Sequence, residues 1–210
     1  MLISFEDIYK ILSSRNISVN GAFHIGAYEC EELPFYNKLG MKNEDVVWID
    51  AINSKVMEAK NRGIPNVYNA VITDTDDVPV AFNVSNNGQS SSVLELGTHL
   101  TEHPWVHYVG KIYQKTITID TFFERNNLDA SKYQFWNFDI QGAELMALKG
   151  ATKSIQYAKA IYLEVNVKEL YKNCALIDEI DLFLSQYNFK RVLTDITGHG
   201  WGDALYVIEN

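Results

Sequence analysis

Short apolar runs that alternate with helix-patterned segments constrain this chain more than any other feature. Residues 22–28, AFHIGAY, read as a buried strand, and EELPFYNKLG reads as a helix with Pro34 in its first turns and Gly40 as its stop. DVVWIDA, 45–51, is a second strand. NSKVMEAKNRG is a helix capped by Asn53 or Ser54 and closed by Gly63, with Pro65 beyond. NVYNAVITD, 66–74, is a third strand. Parallel neighbours need a crossover, and a helix is the usual one. The β-α-β-α-β order therefore predicts an α/β fold, a mostly parallel sheet with helices on both faces.

SFEDIYKILSS precedes this unit as an N-terminal helix within residues 1–20, with Ser4 as cap, Asp7 three residues on, and Phe5, Ile8 and Leu12 on one face. The middle breaks the alternation. VPVAFNVS and SSVLEL read as strands around the turn NNGQ, and KIYQKTITID as another. They predict an extra β segment over residues 76–118, with TDTDD and GTHLTEHPWVHYVG as connections. The alternation then returns: strand YQFWNFDI, helix AELMALKG and strand KAIYLEV, 159–165. CALIDEIDLFLSQY follows as a helix with Leu176, Ile180, Phe183 and Tyr187 on one face, and Cys174 at its start. FKRVLTDI and DALYVIE close as an antiparallel pair around TGHGWG. No Gly-, Ser- or Pro-rich linker divides the chain, so residues 1–210 read as one domain.

A 47% hydrophobic content over 210 residues supports a sizeable core. The formal net charge of −9, without any Lys/Arg cluster, argues against a nucleic-acid partner, which is held through phosphate contacts. No run approaches the roughly 18 apolar residues of a membrane span, and MLISFEDIYKIL lacks the basic start of a secretory signal. Cys30 and Cys174 form no C-x-x-C and read as free thiols in a reducing compartment. A cytoplasmic protein is expected. No helix face is apolar enough to name a dimer interface.

Ligands of an open parallel sheet bind beyond the carboxyl ends of its strands. Here those ends are Gly26-Ala27-Tyr28, Asp50-Ala51, Asn69-Ala70, Asp139 with Gln141, and Glu164 with Asn166. HIGAYECEE has one glycine rather than three, and Glu29, Glu31 and Glu32 lead its helix. Acids there repel a pyrophosphate and tolerate a sulfonium or an α-amine. That disfavours a nicotinamide-dependent oxidoreductase. Asp50 can accept from both ribose hydroxyls or cap the next helix.

FWNFDIQGAELMALKGA followed by IYLEVN resembles the FkbM-type S-adenosylmethionine-dependent methyltransferases, with weaker echoes in WIDA, VYNAVITD and NNGQSSS. The resemblance covers roughly residues 22–166. It implies a Rossmann-like methyltransferase sheet of seven strands, the last antiparallel. It implies S-adenosylmethionine as cofactor and methyl transfer to an oxygen, often of a sugar. The acceptor is then a small molecule or glycan. The cofactor residues it suggests are His24, Gly26, Ala27, Tyr28, Asp50, Ala51, Asn69, Ala70, Ser91, Asp139 and Gln141. His24 stands where the family usually has Asp, and Cys30 where it usually has Gly. These departures motivate an alternative: a cofactor- or partner-binding module on the same fold, without catalysis.

Asp139 is the first choice as general base, since a sugar hydroxyl is a weak acid. Glu164 ends the next strand, about 4.8 Å away. The two carboxylates bracket either the acceptor hydroxyl or a divalent metal; no metal ligand set is assigned. Gln141 offers its amide to sugar or cofactor, Gly142 lets the backbone turn close to the ligand, and Leu145 and Leu148 face the sheet. Glu144 either reaches back to the site or favours the helix start. His99, His103 and His107 have helical spacing, but Pro104 interrupts it. His99 or His103 then stands over the acceptor. His199 is placed with the catalytic residues, lining the acceptor pocket with Trp201 and Asp203.

Overall fold

Ala22–Ile25 is buried along its whole length, as a central parallel strand covered on both faces must be. The structure, a computed structural model, describes residues 1–209. Its strands in chain order are β1 (Ala22–Ile25), β2 (Val46–Asp50), β3 (Val67–Asn69), β4 (Val71–Ile72), β5 (Pro79–Ser85), β6 (Tyr108–Ile117), β7 (Phe135–Phe138), β8 (Ala160–Asn166), β9 (Phe189–Ile196) and β10 (Trp201–Ile208). The helices are α1 (Phe5–Ser14), α2 (Leu33–Lys38), α3 (Asn53–Asn61), α4 (His99–Glu102), α5 (Ile119–Arg125), α6 (Glu144–Lys149) and α7 (Ile177–Ser185).

The main sheet has seven strands in the order β3-β2-β1-β7-β8-β10-β9. Only β10 is reversed, antiparallel to β8 and to β9. The chain first winds outward from β1 to β3, then from β7 across the other half. The switch point lies between β1 and β7. Side-chain alternation divides the core in two. Phe23, Ile25, Val47, Trp136 and Phe138 meet Phe122, Leu145, Leu148 and Ile180 from α5, α6 and α7. Ala22, Trp48, Phe135 and Tyr162 meet Ile8, Tyr36 and Val56 from α1, α2 and α3. Each large side chain so buried contributes about 1.5–3 kcal/mol.

Ser4 caps α1 as expected: its Oγ accepts from Asp7 N at 3.2 Å and donates to Asp7 Oδ2 at 2.7 Å. Elsewhere tertiary contacts override the local reading. Residues 66–74 are not one strand. The chain breaks at Ala70, whose N–H donates to Asp50 O, and β4 leaves to pair with β6 in a three-stranded sheet, β4-β6-β5. SSVLEL forms no strand, only isolated bridges, Asn83 with Ser92 and Leu96 with Tyr171. KIYQKTITID stops as a strand at Ile117 and turns into α5, a helix the apolar alternation hid. Thr118 caps it, and Asp76 accepts from Thr118 N at 2.7 Å and Thr121 Oγ1 at 2.7 Å. Neither Asn53 nor Ser54 caps α3; Ile52 holds that position without a side-chain bond. Helix α7 buries Ile177, Ile180 and Leu184 and starts three residues after Cys174. Among the described residues no helix is long and apolar enough to cross a membrane.

Candidate active site

A cavity of about 390 Å³ opens beyond the carboxyl ends of β1, β2, β7 and β8. That is within the size range of small-molecule sites. Gly26 makes it possible for β1 and β7 to meet there. Its φ is +90°, and a Cβ would lie 1.8 Å from Asp139 O. Gly26, Ala27 and Tyr28 form one wall. The Tyr28 ring packs over Gly88, and its hydroxyl donates to Asn87 O at 3.2 Å.

Asp50, at the end of β2, is 8% exposed and lines the same wall with Ala51 and Ala70. Its Oδ2 accepts from Tyr28 N and its Oδ1 from Ile52 N, both at 2.7 Å. Burial raises its pKa, and those two N–H groups oppose the rise. Each oxygen keeps a second acceptor site. Asn69 is not in the wall. Its Nδ2 donates to Asp50 O and Ala51 O, each at 2.9 Å, so it clips the loop rather than facing a ligand.

Asp139 follows β7 and stands on the cavity floor. The cavity leaves it open to water, yet protein crowds it on the other sides, and the crowding governs its charge. Its pKa is raised by burial, against the pull of Gln141. Glu164 ends the neighbouring strand and is 6% exposed. Burial, then the nearby Asp139, Glu144 and Asp203 carboxyls, push it well above the usual range. Gln141 Nε2 stands between the two, 2.6 Å from Asp139 Oδ1 and 2.6 Å from Glu164 Oε2. Its Oε1 accepts from the Tyr171 hydroxyl at 2.6 Å. The amide was expected to hold sugar or cofactor; its donors are spent on the two carboxyls instead. Tyr171, distant in sequence, carried no local signal.

The turn after Asp139 is built for this. Gln141 itself has φ +57°, and Ser92 Oγ donates to its carbonyl at 2.8 Å. Gly142 was expected to admit a ligand. Its hypothetical Cβ would meet Cys174 Cβ at 2.8 Å, so its smallness serves packing. Glu144 reaches back: Oε1 accepts from Ile140 N at 3.0 Å and Gly142 N at 3.2 Å. Burial pushes its pKa up to about 8.

Two residues expected at the ligand stand elsewhere. His24 is 1% exposed among Trp48 and Tyr36, outside the cavity wall. Its Nδ1 bonds the Tyr36 hydroxyl at 3.0 Å, and burial lowers its pKa to about 3. The reason is strand alternation: Phe23 and Ile25 point to one helical layer and His24 to the other. His199 lies one ring behind the wall. Its Nδ1 is 2.9 Å from Glu102 Oε2, and its ring is 4.7 Å from that of His103. Cys30 is buried outside the wall as well, its thiol pushed up to about 12 by burial.

The inserted sheet and its loops cover the outer half. Gln89, Ser90 and Ser91 line it, with Ser91 Oγ donating to Gly88 O at 2.6 Å. His99, His103, Trp105, Trp201 and Asp203 complete it. The single turn of α4 ends at Glu102, with His103 as its C-cap just before Pro104. Glu31, Glu32 and Trp105 also line the cavity, although the sequence marks Glu31 and Glu32 only as acids at a helix start and does not single out Trp105. Among the described residues no group of three His, Cys, Asp or Glu side chains is arranged to hold a metal ion.

The family model described as the methyltransferase FkbM domain matches residues 7–191. The 2-O-methyltransferase NoeI of Sinorhizobium fredii is 30% identical over 83 residues, 40% of this chain and 33% of NoeI. That match spans about a third of the relative's length. Among solved structures, Sp1610 of Streptococcus pneumoniae, a proposed tRNA (m1A22) methyltransferase, aligns with TM-score 0.49 and 9% identity, over 100% of this chain and 71% of that one. The magnesium protoporphyrin IX methyltransferase ChlM of Synechocystis PCC 6803, with bound S-adenosylmethionine, aligns with TM-score 0.45 and 10% identity, over 98% and 78%.

Proposed function

This chain belongs to the FkbM methyltransferase family, whose methyl donor is S-adenosylmethionine, and we propose that it forms a methyl ether on a hydroxyl of a sugar or glycoconjugate. The observation that carries the reading is the Asp139–Gln141–Glu164 cluster on the floor of the strand-end cavity. The inner wall suits this donor: Glu31, Glu32 and Asp50 line it, an electrostatic match to a sulfonium and an α-amine.

When bound, the cofactor supplies an electrophilic methyl group on sulfur. The protein supplies the rest. Asp50 keeps lone pairs free for ribose hydroxyls while its backbone bonds hold the Tyr28 loop closed. The Tyr28 ring and the Gly88 turn close one side of the cavity. Asp139 takes the proton of the acceptor hydroxyl. Glu164, the more deeply buried carboxyl, holds a proton, so one negative charge rather than two sits on the floor. Gln141 keeps the Asp139 carboxylate oriented. Positioning of this kind lowers the barrier by removing the entropy of encounter.

The alternative, a binding module without catalysis, rested on His24 and Cys30. Neither side chain lies in the cavity wall. Calorimetry with S-adenosylmethionine and S-adenosylhomocysteine, followed by a methyl-transfer screen over sugars and glycosides, tests the proposal. Saturable binding and a methylated sugar hydroxyl are expected. Binding with no transfer to any sugar hydroxyl would sink it.

A further inference from the structure

The cavity wall carries far more acid than base: among the described residues its one standing cation is the terminal amine of Met1, whose charge acts on Glu32 and His24. Among the described residues none of its lining side chains is Lys or Arg, whereas Glu31, Glu32, Asp50, Asp139, Glu164 and Asp203 all contribute carboxyls. The cations nearby are already engaged. Lys55 Nζ bonds Glu29 at 2.9 Å and Glu58 at 3.0 Å. Arg62 donates to the Glu29 carbonyl, and Lys168 is held by Glu102. Four backbone N–H groups at the strand ends are already taken. An anion can be bound by free N–H groups at a loop or helix start. Here Asp50 takes the N–H groups of Tyr28 and Ile52, and Glu144 those of Ile140 and Gly142. At these four positions the protein's own carboxyls stand where an anion would bind.

The outer half carries the opposite chemistry. Trp105 is 65% exposed and lines the mouth, with Trp201. A broad apolar face left open beside polar groups suits the C–H face of a sugar ring. The His103 ring lies tilted against that of His99 at 4.8 Å and meets the Trp105 ring edge-on at 5.3 Å. His99 is 5% exposed, and its Nδ1 is sealed from solvent without a hydrogen-bond partner. Its ring stands 5.4 Å from that of Tyr171, which connects through Gln141 to Asp139. Burial, then the neighbouring His103, lowers the His99 pKa and favours the neutral imidazole.

We infer that the outer half of the cavity, walled by His99, His103, Trp105 and Trp201, takes an uncharged sugar unit presented as a glycoside and turns away sugar phosphates and nucleotide sugars. The inference rests on the sugar-methylation reading and narrows it. A phosphate entering this space loses its water and meets carboxyls that outnumber the single terminal amine of Met1. A neutral glycoside loses only hydroxyl hydration, which Ser90, Gln89 and the histidines can replace. Methylation would then act after the glycosidic bond has formed, downstream of a glycosyl-transfer reaction.

The test uses the full chain saturated with S-adenosylhomocysteine and matched probes: methyl hexosides and chito-oligosaccharides against hexose 1-phosphates and nucleoside-diphosphate hexoses. Calorimetry is expected to show saturable binding of at least one neutral probe, and at least tenfold weaker binding of its phosphorylated partner. Trp105→Ala, at an exposed position, is expected to weaken the neutral probe at least fivefold with S-adenosylhomocysteine affinity unchanged. Gln89→Lys, which brings a cation to the rim, is expected to narrow the tenfold gap. Equal or tighter binding of phosphorylated probes overturns the inference, as does the absence of binding by every neutral glycoside. A parallel methyl-transfer assay separates the two levels. Methylation of sugar phosphates as fast as glycosides rejects the charge rule and leaves sugar methylation standing. Transfer only to non-sugar hydroxyls rejects both.

Discussion

The Tyr171 hydroxyl donates to Gln141 Oε1 at 2.6 Å, and that bond decides which way the amide faces. With its oxygen held, the nitrogen must point at Asp139 and Glu164. Tyr171→Phe frees the amide to rotate and present an oxygen to two carboxyls. Turnover is expected to fall about tenfold, the loss of one oriented bond of roughly 1.4 kcal/mol, with cofactor affinity unchanged. Initial-rate kinetics beside calorimetry measure both. An unchanged kcat would remove the positioning role.

Asp139 and Glu164 have different tasks, so their amide variants should differ. Asp139→Asn removes the base and is expected to lower kcat by about 10²–10⁴. Glu164→Gln replaces a carboxyl that already holds a proton and is expected to cost no more than about tenfold, one hydrogen bond's worth. Rate against pH for the two variants distinguishes them. Equal losses would mean that the proton is not held on Glu164.

Asp50 supports a loop and faces the cavity at once. Asp50→Asn has one acceptor oxygen where two backbone N–H groups need one each. An unpaired N–H costs about 1–3 kcal/mol, so S-adenosylhomocysteine affinity should fall roughly ten- to hundredfold. Calorimetry reads the affinity and thermal unfolding reads the loop. Full affinity in this variant would place the ribose elsewhere.

Stability should depend on pH through two buried groups of opposite sign. Glu144 is raised by burial from 4.5 to about 8, so the unfolded chain gives up its proton first. Its contribution is complete below pH 4.5 and is lost as pH rises toward 8. His24 is lowered by burial from 6.5 to about 3, so its contribution is complete above 6.5 and is lost as pH falls toward 3. Between pH 6.5 and 8 the Glu144 loss is therefore unopposed by His24. Glu164, also raised, acts in the same direction as Glu144. Glu144→Gln keeps an acceptor for Ile140 N and Gly142 N and should flatten that decline without abolishing it. Urea midpoints at pH 6.5 and 8 measure the slope; an unaltered slope would refute the assignment.

Much of the site was legible because strand ends are marked locally. Each run of buried apolar residues stops at a polar residue or glycine, so Gly26, Asp50, Asp139 and Glu164 could be placed on one rim once the parallel order was inferred. The family resemblance rests on FWNFDIQGAELMALKGA, residues 135–151, followed by IYLEVN, residues 161–166. Position along a strand does not say which layer a side chain enters. In β1, buried on every residue, no hydrophobic alternation distinguishes the faces, and His24 fell to the α2 layer. His199 failed for a different reason: whether it or His103 reaches the cavity depends on Glu102, which holds His199 back.

By itself, the sequence determined the parallel α/β order, the reversed closing strand and the carboxylates at the strand ends. Those follow from local periodicity and from polar residues that stop apolar runs. Tertiary structure alone decided that the chain leaves the main sheet at Ala70, that Thr118 opens a helix against Asp76, and that Gln141 turns inward to Tyr171. Each is a hydrogen bond between groups far apart in the chain, whose energy no local pattern records.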